Sequence, residues 1–382
     1  MTTLKRHMIM LLCFSISLTE RFTQASIPLI ADHLGLNSFE MSLMLSALAA
    51  STLFTGLIIA PYIDTYDQKP YLGLIGALGL LGTLSYWAFC FTQSLVWGCF
   101  LMFCIGAVLR TINFRRLAVI NSEVDKSSLS RTHTRTQLSI TIAMAAAPLC
   151  LTLILVVDYL DFTVAILWIC IFLSLFTSSL NAPAKTTDSA TIKYGTPKEL
   201  ETANYFIFTG MLLSGLFLSI LFAYCQNSSD NPTQLYTQVI FSQVVGLIAA
   251  NMMFERFFGE RFRMYGVLIM IIAASELSFI FTHSSELINI LSFLVGFSFQ
   301  IMFLRSHNQF QIRIPKSMSA KFNGIRGIYA FTGITCGYIS GPLLQKIGGV
   351  EMVLLTCSAT AILFLLFLGH LTPSPPDYYG ND

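Results

Sequence analysis

Two adjacent charged residues, Glu20 and Arg21, lie in the middle of the first hydrophobic stretch of the chain. Placing one such charge at the centre of a membrane helix costs about 2.5–3.5 kcal/mol on insertion scales. Ionisable residues in that position commonly mark pathways for substrates or ions, because the protein must compensate for the cost of burying them. The pair therefore predicts a site that binds or moves a charged species inside a membrane.

Each charge of the pair needs a partner elsewhere in the chain. Neighbouring residues on a helix point about 100° apart, so Glu20 and Arg21 cannot neutralise each other. Arg110 lies deep in the fourth hydrophobic stretch and is the best candidate partner of Glu20, and Glu276 in the ninth is the candidate for Arg21. A carboxylate for which a proton and an arginine compete can couple transport to protons. We predict that these four residues couple protons or bind substrate; static buried pairs that fix helix register are the alternative.

The composition indicates a membrane protein. The chain has 382 residues, of which 54% are hydrophobic and 11% charged, whereas soluble domains average about 25% charged residues. The net charge of +2 is too small to indicate a nucleic-acid partner. The nine cysteines lie mostly in apolar stretches with no metal-ligand spacing, which is typical of free thiols. We therefore expect the lipid bilayer as a partner, and no metal, cofactor or nucleic acid.

Twelve hydrophobic segments account for nearly the whole chain. A hydrocarbon core requires about 20 apolar residues per helix, and a lone lipid-facing strand could not satisfy its backbone. The predicted spans are 8–31, 41–62, 71–91, 95–117, 134–157, 162–180, 202–224, 235–254, 263–282, 287–306, 322–345 and 350–369. The fold class is thus predicted to be an all-α membrane protein with twelve transmembrane helices.

The loops on the two sides of the predicted membrane differ in charge. Lysines and arginines precede span 1 and follow the even-numbered spans, whereas the opposite loops carry mainly acids, with Lys346 as the single base. By the positive-inside rule, both termini are cytoplasmic. The compact tails and short loops suggest a multi-pass monomer of a bacterial cytoplasmic (inner) membrane.

The sequence divides into two related halves. A polar segment, 181–201, separates a six-helix half at 1–180 from another at 202–371, and a cytoplasmic tail follows at 372–382. In span 5, small residues precede Ala147 and Pro148; the same spacing recurs 194 positions later in span 11, at Gly337, Gly341 and Pro342. Small residues allow close helix packing and proline allows a bend. We predict two pseudo-symmetric halves around a midplane site, with these five residues serving helix bending or packing.

Charged residues also follow spans 2 and 8. Asp64 and Lys69 lie in the first of these loops. Glu255, which is 191 positions after Asp64, and Arg256 lie in the second. A carboxylate that faces a lysine or arginine at a helix end makes a charge-assisted link. We predict that the four residues form a cytoplasmic gate; a role in topology alone is the alternative.

The first loop, from Ala60 to Lys69, resembles the 2–3 loop signature of the major facilitator superfamily, G-x-L-a-D-R-x-G-r-k. It keeps the aspartate and the final lysine, and the loop after span 8 keeps an acid, an arginine and a glycine. The G-x-x-x-G-P motif of span 11 resembles an antiporter signature that exporters of this family carry in span 5. The family's R-x-x-q-G motif in span 4 is absent, because Met102 occupies the arginine position. Thr19 to Phe22 is similar to the second half of the E-x-x-E-R-F signature of proton-coupled peptide transporters.

The resemblance implies a secondary transporter, not an enzyme, that works by rocking its two halves. The expected function is proton-coupled export of a small amphipathic or peptide-like molecule, such as a drug, siderophore or antibiotic. One alternative is a proton-coupled importer of a nutrient or small peptide. The other is a non-transporting receptor or assembly protein on the same fold.

Overall fold

The computed structural model of this chain describes residues 3–63, 68–123, 126–154, 158–179, 198–254, 264–282, 284–313 and 319–371, and every regular element in these ranges is a helix. The first ten are α1 (Thr3–His33), α2 (Ser38–Ile63), α3 (Gln68–Thr92), α4 (Leu95–Glu123), α5 (Lys126–Leu153), α6 (Tyr159–Ser179), α7 (Lys198–Ser228), α8 (Pro232–Met253), α9 (Met264–Phe279) and α10 (Ser285–Arg313). The remaining segment, Ser319–Leu371, is interrupted by non-helical backbone at Gly348 and Gly349, which separates α11 (319–347) from α12 (350–371).

These helices supply twelve membrane crossings. Eight helical segments are long and apolar enough to cross a bilayer, and one of them, Ala320–Leu366, has 47 residues. At about 1.5 Å per residue it is about twice as long as a hydrocarbon core is thick. Two shorter apolar segments, Tyr159–Leu175 and Val267–Phe279, and the polar-interrupted α1 complete the set. The predicted all-α class with twelve transmembrane helices is confirmed.

Several helices extend past their predicted spans at one end of the bundle. This is the end at which α2, α4, α6, α8 and α10 finish, and we call it the inner end because the basic residues predict it to be cytoplasmic. There α4 continues to Glu123, α5 begins at Lys126 and α7 begins at Lys198. Polar residues outside the hydrocarbon can continue a helix in water, so hydropathy underestimates helix length. The last four residues of the predicted linker consequently belong to α7.

The repeated small-residue motif is a helix-packing device in both halves. A methyl group built on Gly337 of α11 would lie 2.6 Å from the carbonyl oxygen of Leu212 in α7, so α7 and α11 are in backbone contact there. In the N-terminal half, Ser139 of α5 donates a hydrogen bond to the Met10 carbonyl of α1 at 2.9 Å. Ala147 is fully buried. We call these two contacts the α7–α11 seam and the α1–α5 seam.

Both proline-containing helices continue past their prolines. Pro148 lies inside α5 and Pro342 inside α11. Within α11 and α12 the non-helical backbone lies at Gly348 and Gly349, six or more residues beyond Pro342. The motif residues therefore serve close packing and do not interrupt the helices. Gly341 lies against Ser219 of α7, and Gly337 lies against Leu212 of the same helix.

The two halves contact each other near both ends of the bundle. At the inner end, Asn251 of α8 donates to Thr141 Oγ1 of α5 at 2.6 Å. Gly324 of α11 also lies so close to Gly56 of α2 that an added methyl group would be 2.9 Å from the Gly56 carbonyl oxygen. At the opposite, outer end, Gln226 of α7 donates to Asp32 of α1 at 3.1 Å. The charged residues of the membrane interior lie between these two sets of contacts.

Candidate substrate and coupling site

Glu20 of α1 and Arg110 of α4 are in contact. Arg110 Nη2 donates to Glu20 Oε1, and the glutamate and arginine side chains keep 23% and 14% of their surface exposed, respectively. The guanidinium of Arg110 also lies over the ring of Phe331 in α11, 4.1 Å from its centroid. A cation over an aromatic face is attracted by the ring quadrupole. Arg110 therefore joins an acid of its own half to an aromatic ring of the other half.

Arg21 faces the C-terminal half. Its side chain is buried, and Nη2 donates to Gln243 Oε1 of α8 at 3.1 Å. The phenols of Tyr236 and Tyr338 are close enough to interact with its charge electrostatically. Because successive residues of α1 point in different directions, Glu20 meets a partner in the N-terminal half and Arg21 meets one in the C-terminal half.

Glu276 of α9 does not meet Arg21, in contrast to the candidate pairing. Gln243 receives the Arg21 hydrogen bond, and no ion pair of Glu276 occurs in the part of the chain that the structure describes. Only 1% of Glu276 is exposed, and its Oε2 is buried without a hydrogen-bond partner among the described residues. Glu276 and Gln243 line the same cavity, so the glutamine stands where a direct Arg21–Glu276 contact was expected.

The contacts of the four predicted gate residues fall outside what the structure describes. Asp64, Glu255 and Arg256 lie outside the described residues. Lys69 lies in the first turn of α3, and its side chain is among those that the structure does not describe. Their gating role stays a prediction.

The inner end holds polar contacts that the sequence reasoning missed. Arg326 of α11 donates to the Ser306 carbonyl of α10 at 3.0 Å and lies 4.9 Å from the centroid of the Phe310 ring. The sequence does contain a sign of this contact. Arg326 lies four residues inside predicted span 11, where a basic residue needs a partner.

Two histidines just outside the membrane-spanning segments join the halves. The His133 ring of α5 and the His307 ring of α10 are in edge-to-face contact, with centroids 5.4 Å apart. Burial, together with the nearby Arg116 charge, lowers the pKa of His133 to about 4. Both rings are therefore held in a position that disfavours their protonated forms.

A helical membrane bundle of two six-helix halves with charged residues between them is the architecture of a secondary transporter. The sequence matches the model of the Major Facilitator Superfamily over residues 9–335. The chain belongs to this superfamily, and it is a transport protein rather than an enzyme. The prediction of the family is confirmed. A search of curated protein sequences finds no match.

Solved transporters share the fold at low sequence identity. A bacterial homologue of the iron transporter ferroportin, in an outward-facing state, has a TM-score of 0.71 and 12% identity, with 96% of this chain and 99% of that chain covered. The human organic anion transporter MFSD10 (TETRAN) has a TM-score of 0.69 and 11% identity, covering 95% and 99%. A single-residue variant of the E. coli fucose:proton symporter FucP has a TM-score of 0.67 and 13% identity, covering 97% and 99%. At such identities the likeness shows the fold alone.

Proposed function

We propose that this transporter is proton-coupled and exports a small amphipathic or peptide-like molecule by alternating access, with Glu20 as the protonated group. The contact between Glu20 and Arg110 carries the proposal. It is partly exposed, it lies between the halves, and through Phe331 it touches the half that must move. One of the transporters with the same fold is named a proton symporter, so the architecture is compatible with proton coupling.

The coupling step follows from charge balance. When Glu20 is ionised, Arg110 holds it and the α1–α4 contact is strong, because charge-assisted hydrogen bonds are roughly twice as strong as neutral ones. When Glu20 takes up a proton, Arg110 loses its counter-ion and the α1–α4 contact weakens. A cationic group of a substrate and a proton both neutralise the Glu20 carboxylate, so they compete for it and bind alternately, which is the requirement for exchange.

The proposed direction of transport and the proposed membrane rest on sequence patterns. Gly337, Gly341 and Pro342 resemble the motif of exporters, which favours outward transport. The basic loops favour a bacterial cytoplasmic membrane with both termini inside, and the chain contains all twelve helices of one transport unit, which supports a monomer.

The test measures the retention of fluorescent solutes in bacterial cells, with ethidium as a cation, fluorescein as an anion and a dye-labelled dipeptide as a peptide-like solute. Cells that express the protein should exclude at least one probe relative to vector cells, and a protonophore should abolish the exclusion. Glu20→Gln should lose the protonophore-sensitive part, since the variant cannot exchange a proton. Glu286→Gln, an exposed acid in the first turn of α10, should behave as the wild type.

Other outcomes select the alternatives. Protonophore-sensitive accumulation would identify an importer. Normal gradient-dependent transport by Glu20→Gln would remove that residue from coupling. Purified protein that moves none of the probes in liposomes would favour a receptor or assembly role.

A further inference from the structure

A cavity of about 40 Å³ lies inside the C-terminal half, between α7, α8, α9, α10 and α12. We call it the C-half cavity. It combines a carboxylate with neutral polar groups and aromatic rings, and the described residues that line it include no lysine, arginine or histidine. Its main polar and aromatic members are Thr209, Ser214, Gln243, Glu276, Phe217 and Phe299.

Glu276 is the unusual member of this lining. Its side chain is almost fully buried, and within the described ranges its Oε2 lacks a hydrogen-bond partner. An ionised carboxylate in an apolar interior is expensive unless it is paired. The candidate charge from the other half, Arg21, is held by Gln243 and does not reach it. A positively charged ligand beside Glu276 would supply the missing partner.

We propose that the C-half cavity binds the protonated amino group of a small organic amine, with Glu276 as its counter-ion. The carboxylate supplies the charge, hydroxyl and amide oxygens supply acceptors, and aromatic faces attract ammonium groups. The volume admits a group the size of one or a few waters, since each needs about 10–15 Å³ measured in this way.

A metal ion is a poorer match for this lining. Cations such as Ca²⁺ need about six to eight oxygen ligands, whereas one carboxylate and aromatic rings dominate here. In the ranges described, no cluster of three or more potential metal ligands occurs. The inference rests on the proposed transport function, because it names an amine as the class of substrate whose head group enters this half.

The cavity also touches the contact between the halves. Gln243 lines it and simultaneously accepts the Arg21 hydrogen bond from α1. An ammonium group that binds beside Glu276 therefore lies next to Gln243, the side chain that accepts the hydrogen bond of Arg21 from the N-terminal half. Occupancy of the C-half cavity and the position of α1 are linked through this one amide.

The experiment uses the purified full chain in detergent, in a potassium phosphate buffer free of amines. Thermal unfolding is measured with benzylamine and with its neutral analogue benzyl alcohol. A further pair of samples, one with NaCl and one with the same concentration of KCl, tests whether sodium binds instead. Benzylamine should raise the midpoint of the wild type by about 2–4 °C at roughly ten times its dissociation constant. Benzyl alcohol and sodium should leave it unchanged.

Glu276→Gln is the deciding variant because it keeps the shape and removes the charge. It should weaken benzylamine binding by roughly 30-fold or more. Without ligand it should unfold at or above the wild-type midpoint, since it removes an unpaired buried charge, and this separates lost binding from misfolding. Glu286→Gln should keep the full benzylamine shift.

Three results would overturn the inference: no benzylamine shift in the wild type, a shift that persists in Glu276→Gln, or a shift produced by sodium instead. Failure of the transport function is distinguishable. A chain that binds benzylamine through Glu276 but moves no probe keeps the amine site and loses the transport proposal. A chain that transports another probe without binding amines does the reverse.

Discussion

Two neighbouring residues of α1 contact different halves of the molecule. Glu20 contacts Arg110 in its own half, and Arg21 contacts Gln243 in the other. Both charges lie on the same helix, so any rotation of α1 changes the two contacts together. Under the proposed coupling, proton exchange at Glu20 would reach the C-terminal half through the next residue of the chain, Arg21.

At the residue scale, we expect the His133–His307 contact to make the stability of the protein depend on pH. The pKa of His133 is lowered to about 4 in the folded protein, against about 6.5 in an unfolded chain. The unfolded state therefore binds more protons between these values, and stability present above pH 6.5 is lost as the pH falls toward 4. Lowering the pH from 7 to 5 should cost about 2 kcal/mol of unfolding free energy through this group.

Unfolding in detergent at pH 7 and pH 5 checks this expectation. His133→Phe keeps an aromatic ring against His307 and should reduce the pH dependence by about that amount. His33→Phe changes an exposed histidine at the outer end of α1 and should leave the dependence as it is. An unchanged pH dependence in His133→Phe would contradict the assignment.

At the scale of elements, the α7–α11 seam depends on glycine. Atoms of α7 leave no space for a side chain at Gly337 or Gly341. The α1–α5 seam reaches a similar packing with a serine hydroxyl and buried alanines. The two seams are equivalent in position and different in chemistry.

Gly337→Ala tests the seam against a matched glycine. Forcing a methyl group into the contact should destabilise the protein by about 1–3 kcal/mol, because well-packed helices cannot absorb added volume. Gly73→Ala in α3 meets nothing within 4 Å. It should stabilise by up to about 1 kcal/mol through helix propensity. Shifts of opposite sign in the thermal unfolding midpoint are expected, and a neutral Gly337→Ala would show that α7 can move away.

The sequence predicts elements better than it predicts contacts. Hydropathy locates the twelve spans because each must match the bilayer, and Glu20 is conspicuous because its charge interrupts an apolar run. The Arg21–Gln243 bond is beyond such reasoning, since it depends on the rotation of α1 and α8 about their axes. Hydropathy also misses the helix ends at the inner end. Residues such as Lys126 and Lys198 are helical but lie in water, where a helix does not need to be apolar.

At the scale of the whole molecule, separate polar contacts hold the halves together at the two ends. Asn251 binds Thr141 at the inner end and accepts from Gln300 of α10 at 3.3 Å. Gln226 binds Asp32 at the outer end. Alternating access requires that one set opens while the other persists.

Removing one contact at a time should loosen one end at a time. Asn251→Ala should increase hydrogen exchange in the inner parts of α5 and α8, because it removes hydrogen bonds to two helices. Gln226→Ala should increase exchange at the outer ends of α1 and α7 and leave the inner end unchanged. Hydrogen exchange read by mass spectrometry checks both variants, and an identical pattern in the two would argue against independently opening ends.

The difference between the two seams has a consequence for how the protein can diverge over generations. Where Gly333, Gly337 and Gly341 run along α7, almost every mutation adds volume against that helix and will be purged. The α1–α5 seam already contains side chains, so exchanges among serine, alanine and glycine remain open to it. Corresponding positions of the two halves should therefore diverge at unequal rates, more slowly along the α7–α11 seam than along the α1–α5 seam.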